Sequence, residues 1–448
     1  GWKPDRRFSG RLRCEPRGFW HQKTRRPDET ELGSGATRAA AGDKMTGKGM
    51  MAVLAGLLAV GPALGADLAP ETPYVEALPE GPRDHWVAVG DLNPLSNADT
   101  RVLLYDADTG KMLGMMSTGY WGSLSFFPKN TNNIVTLETY FERGSRGKRN
   151  DYAVVYDGKS LLPLHEIGIA PRRMTGFTQT QMGGLSDDGH FLAVTNFTPA
   201  QSVSIVDLER ARFADEVPTA GCGQIYPAGA RRFALLCGDG AMRLLTVDEA
   251  GAVRNQTDGE PFFDPFTDPV LVQAARAGDD WYFVSMDGYI HDVDVSGDTV
   301  KLKEKWSLLS DDEREDGWRT GGIQALAIHE ASHKLYALMR QGGRETYEQP
   351  GDVVWVFDLA THKRVATIDL VNTTMAINVS RDDKPILTAA SLKTVLPYWS
   401  LALVSILGAK FEELDVVKPA LDVYDATSGD HLRTIDHAAN FATSLTQP

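Results

Sequence analysis

Apolar and polar residues alternate along most of the chain in short runs, and each run ends in an aspartate and a polar turn. The stretch VLLYDADTGKMLGMM at 102–116 shows the pattern as an apolar strand, Asp106, a Thr-Gly turn and a second strand. Six more stretches repeat it, at 152–167, 202–217, 242–256, 289–306, 353–370 and 420–436. Alternation over such short runs predicts β-strands that are joined as hairpins.

The aspartate of each repeat stands where the first strand of the hairpin ends. The seven residues are Asp106, Asp157, Asp207, Asp248, Asp294, Asp358 and Asp425, with spacings of 41 to 67 residues. A carboxylate at this place can accept hydrogen bonds from the backbone N–H groups of the turn that follows. We therefore expect each aspartate to stabilise its own turn.

A second kind of hairpin lies between these repeats, as in GLSDDGHFLAVTNF at 184–197 and LAIHEASHKLYALM at 326–339. Two hairpins per repeat make four strands, which is the composition of a propeller blade. Seven such units predict an all-β fold, a seven-bladed β-propeller. Only LLSDDEREDGW, at 308–318, has the composition to form a turn or two of helix.

The first 66 residues do not follow this pattern. Residues 1–44 are rich in arginine and lack apolar periodicity, and we interpret them as a disordered upstream extension. Residues 45–66 contain a lysine, a short apolar run, a Gly-Pro break and small residues that end in ALGA. This layout is typical of a secretory signal peptide, and the run is too short for a membrane anchor. We expect a periplasmic protein whose mature propeller spans 67–448.

Charge narrows the range of partners. The 448 residues carry a net charge of −14, and residues 1–66 hold 12 Lys and Arg against 6 Asp and Glu, so the remaining chain carries −20. A surface this acidic repels phosphate backbones, which excludes nucleic acid as an expected partner and favours a protein with a basic face.

The two cysteines of the mature chain, Cys222 and Cys237, flank a single hairpin. An even pair in an exported chain is consistent with one disulfide, and antiparallel strands bring their outer ends side by side. Two unpaired buried cysteines are the alternative.

The segment HEASH, His329–His333, matches the zinc-protease pattern H-E-x-x-H. That chemistry needs a helix, because only there do two imidazoles one turn apart share a face. The flanking residues alternate as strands do, which places HEASH at a turn. We therefore expect no metal site in this chain.

Two local features stand out from the repeats. Four cations lie in one connection of this acidic chain, at 140–151: Arg143, Arg146, Lys148 and Arg149. They form either a solvated loop or a cluster that contacts the carboxylates of a neighbouring subunit. The apolar insert TVLPYWSLALVSILGA, at 394–409, is either an exposed patch for a partner or membrane surface, or an altered segment.

Several of these features resemble one known family. The resemblance is carried by the segments 140–157 and 310–339 and by the pair Cys222 and Cys237, and it covers nearly all of 84–448. The chain resembles the large subunit of tryptophan tryptophylquinone-dependent amine dehydrogenases. The segment at 297–322 is more similar to the aromatic amine dehydrogenase subunit than to the methylamine dehydrogenase one.

The resemblance implies a periplasmic complex of two large and two small subunits, in which the large subunit is a seven-bladed propeller. The small subunit carries tryptophan tryptophylquinone, made from two of its own tryptophans, and the catalytic base. Amine and water become aldehyde and ammonia, and the electrons pass to a blue copper protein of the azurin or amicyanin type. This chain would hold no cofactor and no catalytic residue.

One site can be transferred from the family. There, an aromatic residue after the strand that contains "GM" lines the substrate channel where the two subunits meet. In GKMLGMMSTGYWGSLSF, at 110–126, the matching residue is Tyr120, with Trp121 beside it. The resemblance implies that these flat rings select which amine side chains pass. The insert at 394–409 does not match the family.

Three other functions remain open. The chain could be a stand-alone periplasmic propeller that binds or scaffolds other proteins, or the propeller subunit of a quinohaemoprotein amine dehydrogenase. It could also be a propeller enzyme with its own metal or soluble quinone in the central channel.

Overall fold

The computed structural model describes residues 76–394 and 417–448, apart from 94, 95, 97, 130, 177 and 178. The expected upstream extension, the signal peptide and the apolar insert after residue 394 lie outside the described residues. The described chain contains 29 β-strands, one α-helix (α1, Asp311–Glu315) and two 3₁₀ turns (Thr180–Met182 and Arg344–Thr346). None of its helices has the length and apolar character needed to cross a membrane.

The strands pair into five sheets, almost entirely in antiparallel fashion. The first sheet contains β1 (Trp86–Asp91), β2 (Thr100–Asp106), β3 (Lys111–Gly119), β4 (Leu124–Phe126), β5 (Asn133–Arg143), β6 (Arg146–Asp157), β7 (Pro163–Ile169) and β29 (Ala442–Thr446). The second contains β8 (Gly183–Leu185), β9 (Phe191–Asn196), β10 (Ser202–Asp207) and β11 (Arg212–Pro218). The third contains β12 (Cys222–Pro227), β13 (Arg232–Cys237), β14 (Met242–Val247) and β15 (Val253–Asp258).

The remaining two sheets complete the described chain. The fourth contains β16 (Ala275–Ala277), β17 (Asp280–Val284), β18 (Tyr289–Asp294), β19 (Lys301–Leu302) and β20 (Trp306–Ser307). The fifth contains β21 (Trp318–Thr320), β22 (Leu326–His329), β23 (Lys334–Gln341), β24 (Gly351–Asp358), β25 (Lys363–Val379), β26 (Ile386–Thr394), β27 (Val417–Asp425) and β28 (His431–Asp436). Repeated sheets of mostly four antiparallel strands confirm the predicted all-β class and are consistent with a propeller.

The apolar core lies between neighbouring sheets. Phe191 and Ile205 of the second sheet, for example, pack with Ile225 and Leu235 of the third. Strand β10 is buried along its whole length, whereas β11, at the end of the same sheet, is mostly exposed or half-buried. The second sheet is thus covered on both faces at β10 and meets solvent at its last strand, β11.

The repeat aspartates lie at or directly after the ends of β2, β6, β10, β14, β18, β24 and β27. Each carboxylate accepts at least one hydrogen bond from a backbone N–H two to four residues further along. Asp106 Oδ1, for instance, accepts from the Asp108 N–H at 2.9 Å. The predicted role of the aspartates is therefore confirmed at all seven positions.

Two further local predictions also hold. Cys222 and Cys237 face each other in the register of β12 and β13, and their Sγ atoms form a disulfide. The short helix α1 begins after Ser310, whose hydroxyl accepts from the Glu313 N–H while the Glu313 carboxylate accepts from the Ser310 N–H. This reciprocal pair is a capping box, which stabilises a short helix at its start.

The register of the first sheet defines two opposite edges. At one of them, Asp106 pairs with both Trp86 and Lys111. We call this the His85 edge, because His85 directly precedes β1. Asp157 also lies at the end of its strand on this side, where it pairs with Asn133. The regular turns that contain the repeat aspartates of this sheet are therefore at the His85 edge.

At the opposite end of the sheet, Thr100 pairs with Gly119, the residue before Tyr120. We call this the Tyr120 edge. Gly119 also forms the link between the two halves of the sheet, because it pairs with Thr139 of β5. The tip of the long β5–β6 hairpin consequently lies at the Tyr120 edge, on the side away from the regular turns.

Candidate functional site

The turn from Gly119 to Ser123 connects β3 to β4 at the Tyr120 edge and has an unusual backbone. Gly119, Trp121 and Ser123 have φ values of 70°, 49° and 52°. Residues other than glycine rarely adopt positive φ. Each such residue costs about 1–3 kcal/mol of strain and persists only where its surroundings impose the conformation. The two predicted channel residues thus lie in a strained turn whose conformation needs an explanation.

Hydroxyl groups supply part of that explanation. The Thr100 hydroxyl donates to the Gly119 carbonyl at 2.6 Å and accepts from the Gly122 N–H at 2.8 Å. The Thr118 hydroxyl accepts from the Ser123 N–H at 3.0 Å. These bonds replace the strand ladder where the chain leaves β3, so the turn's polar groups remain paired although it is largely buried.

The two aromatic residues of the turn point to different surroundings. The half-buried Tyr120 ring packs edge-on against Phe141 of β5, with ring centroids 5.2 Å apart. Trp121 instead lines a cavity of about 190 Å³ together with residues of four of the five sheets or their connections, including Gln181, Gln273 and Gln324. Trp121 is therefore the aromatic residue of the turn that borders the cavity, and the Tyr120 ring contacts the hairpin.

The cavity continues towards a second one of about 300 Å³, which shares Gln181, Gln273 and Gln324 with it. These glutamines are buried, and the amides of Gln273 and Gln324 bond the backbones of adjacent strands. Gln324 Nε2, for example, donates to the carbonyls of Ile377 and Leu445 at 3.0 Å each. The polar floor of the space near Trp121 is thus built from side chains that also join neighbouring sheets.

A buried arginine lies behind the turn. Arg173 is only 2% exposed, and its Nη2 atom donates to the carbonyls of Tyr120 (3.3 Å) and Trp121 (3.1 Å) and to the Thr139 hydroxyl (2.8 Å). Complete burial lowers the pKa of Arg173 to about 10, so the guanidinium is charged at neutral pH. The turn is therefore fixed by a charged donor from a segment about 50 residues away.

Asp151 of β6 balances this charge. Its buried carboxylate accepts a two-point contact from Arg149, at 2.8 Å for both bonds, and single bonds from the Thr139 hydroxyl (2.8 Å) and the Arg173 N–H (3.0 Å). Charge-assisted bonds of this kind are the strong ones in a protein interior. Arg173, Arg149, Asp151 and Thr139 together form what we call the Arg173 network.

A second buried carboxylate lies on the same strands. Glu138 is 2% exposed and accepts hydrogen bonds from the hydroxyls of Thr136 (2.6 Å), Tyr140 (2.6 Å) and Tyr156 (2.8 Å). Burial raises the pKa of the Glu138 carboxyl, although the three hydroxyl donors oppose the shift. The Tyr120 edge thus concentrates buried polar groups that the regular turns lack.

The four cations predicted as subunit contacts separate into two groups. Arg143, Arg146 and Lys148 are exposed at the tip of the β5–β6 hairpin, and none of them forms an ion pair within the described part of the chain. Arg149 instead points inward to Asp151, with its side chain 20% exposed. Only three of the four are placed to meet a partner.

The HEASH segment forms a turn, as predicted. His329 ends β22, and His333 lies in the connection to β23 with a φ of 51°. The His329 ring is already engaged, with Nδ1 2.7 Å from the Ser332 hydroxyl and Nε2 2.9 Å from the Asp382 carbonyl. Across the described ranges, no group of three or more His, Cys, Asp or Glu is arranged to hold a metal ion.

Sequence patterns missed the Arg173 network, although one of its members carried a signal. Asp151 occupies the same face of β6 as the buried Ala153 and Val155, so a charge stands where the alternation requires an apolar residue. Arg173 lies in a connection outside any strand and carried no such signal.

These features define a class of protein: an all-β chain of repeated antiparallel sheets with regular turns at one edge and a strained aromatic turn beside a cavity at the other. A functionally unknown protein from Desulfotomaculum acetoxidans has a similar fold, with a TM-score of 0.51 and 10% identity over 81% of this chain and 99% of that one. This likeness concerns the fold alone.

Sequence comparison identifies the family. The model of the methylamine dehydrogenase heavy chain family matches residues 86–405. The methylamine dehydrogenase heavy chain of Paracoccus versutus is 30% identical over 76% of this chain and 74% of its own length. That of Methylobacillus flagellatus is 29% identical over 65% and 73%. The chain therefore belongs to the methylamine dehydrogenase heavy chain family, which confirms the resemblance stated from its sequence.

Proposed function

We propose that this chain is the non-catalytic large subunit of a periplasmic quinoprotein amine dehydrogenase, which oxidises primary amines to aldehyde and ammonia. Family membership over most of the chain is the observation that carries the proposal. The preference for aromatic amines that the 297–322 segment suggests is part of the proposal.

The proposed architecture is a seven-bladed propeller. Each of the two eight-stranded sheets divides into two sets. The first sheet divides at the single Gly119–Thr139 link into two sets of four strands. The fifth divides within the 17-residue strand β25, and in its first set β21 and β22 pair with successive parts of β23 and together occupy one strand position. The cavity of about 300 Å³ is lined by residues from all seven sets, namely from β4, β8, β12, β16 with β17, β22, β25 and β29. Pairing of β29 with β1 would join the chain ends within one blade.

The quinone is proposed to reside in the small subunit. When bound there, tryptophan tryptophylquinone would accept the electrons of the amine. Within the described chain, the contacting tryptophan rings are those of Trp318 and Trp355, 5.0 Å apart. They lie in an apolar cluster, and the charged group over Trp355 is the Arg364 guanidinium at 4.0 Å. The Arg364 guanidinium is in turn paired with the Glu313 carboxylate at 2.7 Å, so the two rings pack between the apolar core and a structural ion pair.

The role of this chain is to shape the route to the partner's redox centre. Tyr120 and Trp121 would line the substrate channel where the small subunit docks, because they lie beside a cavity at the edge that also presents the hairpin tip. The exposed cations Arg143, Arg146 and Lys148 would contact carboxylates of that subunit. The partners are two small subunits per two large ones, and a blue copper protein of the azurin or amicyanin type as electron acceptor.

The periplasmic location rests on the signal-peptide pattern at 45–66 and agrees with the chemistry of the cysteines. Disulfides such as Cys222–Cys237 persist in oxidising compartments and are rare in the cytosol.

The test is co-production of the mature chain with its small subunit. The complex should reduce a redox dye only when a primary amine is added, with aromatic amines such as 2-phenylethylamine preferred over methylamine. The chain alone should be inactive, and mass spectrometry of the separated subunits should find the quinone in the small one. A quinone in this chain, or activity of this chain alone, would overturn the proposal.

Other outcomes would favour the remaining functions. Covalent haem in the purified complex would favour a quinohaemoprotein enzyme, and a monomer without any amine-dependent partner would favour a scaffold protein.

A further inference from the structure

We propose that Arg173 is a positioning residue that fixes the backbone of the Tyr120–Trp121 turn and thereby sets which amine side chains the channel accepts. The inference rests on the proposed function, since it deepens the role of the same site. Arg173 touches neither substrate nor cofactor, and acts through the two aromatic residues.

The geometry of the two carbonyls is the first argument. Successive carbonyls of an extended strand point to opposite sides, but those of Tyr120 and Trp121 both point to the Nη2 atom of Arg173, at 3.3 and 3.1 Å. Such convergence requires a turn between them, which is the positive φ of 49° at Trp121. The contact with Arg173 thus selects the backbone conformation in which Trp121 lines the cavity.

The second argument is that Arg173 is itself held rigidly. Its own N–H donates to Asp151 at 3.0 Å, and its carbonyl accepts from Arg149 Nη2 at 2.6 Å. Its Nε and Nη2 atoms both contact the Thr139 hydroxyl, at 3.2 and 2.8 Å. The backbone and the side chain of Arg173 are both fixed by the Arg173 network. We therefore expect Arg173 to hold the turn in the same position when an amine enters.

The third argument is the fork of the guanidinium. Its planar N–H groups reach two carbonyls and one hydroxyl together, whereas the ammonium of lysine is a compact point charge. A lysine at position 173 would keep the charge and lose part of the geometry. Without the fork, the turn can relax from its strained form and the Trp121 ring moves.

A shift of a channel wall affects large substrates more than small ones. In a hydrophobic pocket, one extra or missing methylene group of a substrate changes kcat/KM by about 10-fold or more. A displaced wall alters contacts of this size for a bulky side chain and leaves a methyl group almost unaffected. We therefore expect Arg173→Met to change the ratio of kcat/KM for 2-phenylethylamine to that for methylamine by about 10-fold. The kcat for methylamine should change far less, because the reacting groups belong to the other subunit.

The experiment compares three variants in the co-produced complex. Arg173→Met and Arg173→Lys test the position, and Arg172→Met is the matched control, because the adjacent Arg172 is exposed and pairs with Glu216 at 2.9 Å. Arg173→Lys should give an intermediate ratio, and Arg172→Met should match the wild type within about 2-fold. If Arg173→Met fails to assemble, Arg173→Lys carries the test. A wild-type ratio in an assembled Arg173 variant would overturn the inference.

A second readout separates this inference from the proposed function. If the wild-type complex oxidises no amine, the proposed function fails, and the positioning role is then tested on the large chain by fluorescence. The part of the acrylamide quenching of tryptophan fluorescence that is lost in the Trp121→Phe variant comes from Trp121 alone. Arg173→Lys should change that component while Arg172→Met should not. An unchanged Trp121 signal in Arg173→Lys would contradict the positioning role, whatever the activity shows.

Discussion

The two edges of the first sheet differ in how their polar groups are satisfied. At the His85 edge, Asp106 bonds the turn that follows it directly in sequence. His85 lies beside Asp108 at 2.7 Å and Asp382 at 3.3 Å, and all three side chains are at least partly exposed. At the Tyr120 edge, Arg173 and Asp151 are buried, and their partners come from distant segments.

The difference shows which edge depends on contacts between distant segments of the chain. Local, solvated turns can be repeated along the chain because each contains its own hydrogen-bond partners. Positive φ occurs at both edges, because Leu161 in the turn after Asp157 has a φ of 53°. The Trp121 turn differs because its carbonyls accept from a buried guanidinium that belongs to a distant segment. Three comparisons between matched positions at the two edges, and one pH dependence at the His85 edge, test this interpretation in order of decreasing effect.

The largest effect is expected for Asp151→Asn. The change leaves Arg149 and the Arg173 N–H facing an amide in a buried site, and breaking a buried charge pair in this way costs about 3–5 kcal/mol. Asp108→Asn at the His85 edge removes an exposed carboxylate and should cost at most about 1 kcal/mol. Chemical denaturation of the mature chain measures the free energy of unfolding of both variants. Equal losses would show that the buried carboxylate at the Tyr120 edge stabilises the fold no more than the exposed one at the His85 edge.

The next effect concerns glycine. Gly119 and Gly110 have φ values of 70° and 75°, so alanine at either costs about 1–2 kcal/mol. A Cβ atom at Gly119 would also lie 2.3 Å from the Thr139 carbonyl oxygen, whereas at Gly110 the nearest atom is 3.5 Å away, in Ile435. Gly119→Ala should therefore lose about 3 kcal/mol in total. Thermal unfolding of the two variants side by side checks this, and Gly110→Ala as the worse variant would contradict it.

An effect on activity is expected for Trp121→Ala. Removal of a ring that lines the cavity should change kcat/KM for a bulky amine by about 10-fold in the assembled complex. Met112→Ala is the control, since Met112 is an exposed apolar residue of β3 near the His85 edge. Steady-state kinetics with 2-phenylethylamine and methylamine measure the change. If Trp121→Ala and Met112→Ala have equal kcat/KM values, Trp121 does not line the substrate channel.

The smallest effect is a pH dependence at His85. Burial lowers its pKa, but Asp108 and Asp382 more than compensate, so the pKa lies above its ordinary value of 6.5. The charged form is favoured by folding. The contribution of His85 is therefore complete below about pH 6.5 and is lost as the pH rises through the folded pKa.

The variant His85→Gln should accordingly lose more stability relative to wild type at about pH 5.5 than at about pH 8.5. Asp382, which also accepts from the Ser380 hydroxyl at 2.6 Å, should keep its own contacts. Thermal unfolding at the two pH values measures the difference. If the stability difference between wild type and His85→Gln is larger at the alkaline pH, the two carboxylates do not favour the charged imidazole.

Much of the fold could be predicted because its signals are short in sequence. The alternation that defines the strands, the repeat aspartates and the Ser310 capping box all act within four residues. The Cys222–Cys237 pair is separated by one hairpin, so strand pairing alone brings the two residues together. In each case the interacting groups are neighbours along the chain, and residue type and spacing suffice.

The candidate site was predicted only in part. Family resemblance pointed to Tyr120 and Trp121, but only the structure distinguishes the ring that packs on Phe141 from the ring that lines a cavity. The cation cluster was predicted as a unit, yet Arg149 is internal because Asp151 on the same strand accepts its guanidinium.

The sequence by itself determined the repeated hairpins, their turns, the disulfide and the family of this protein, since these depend on local hydrogen bonding and on residue order. Only the tertiary structure decided how the Trp121 turn is supported. Arg173 meets the carbonyls of residues 52 and 53 positions earlier, and its charge is tolerated in the interior because Asp151 and Thr139 converge on the same point from paired strands. That convergence is a property of strand register, which no single stretch of the chain contains.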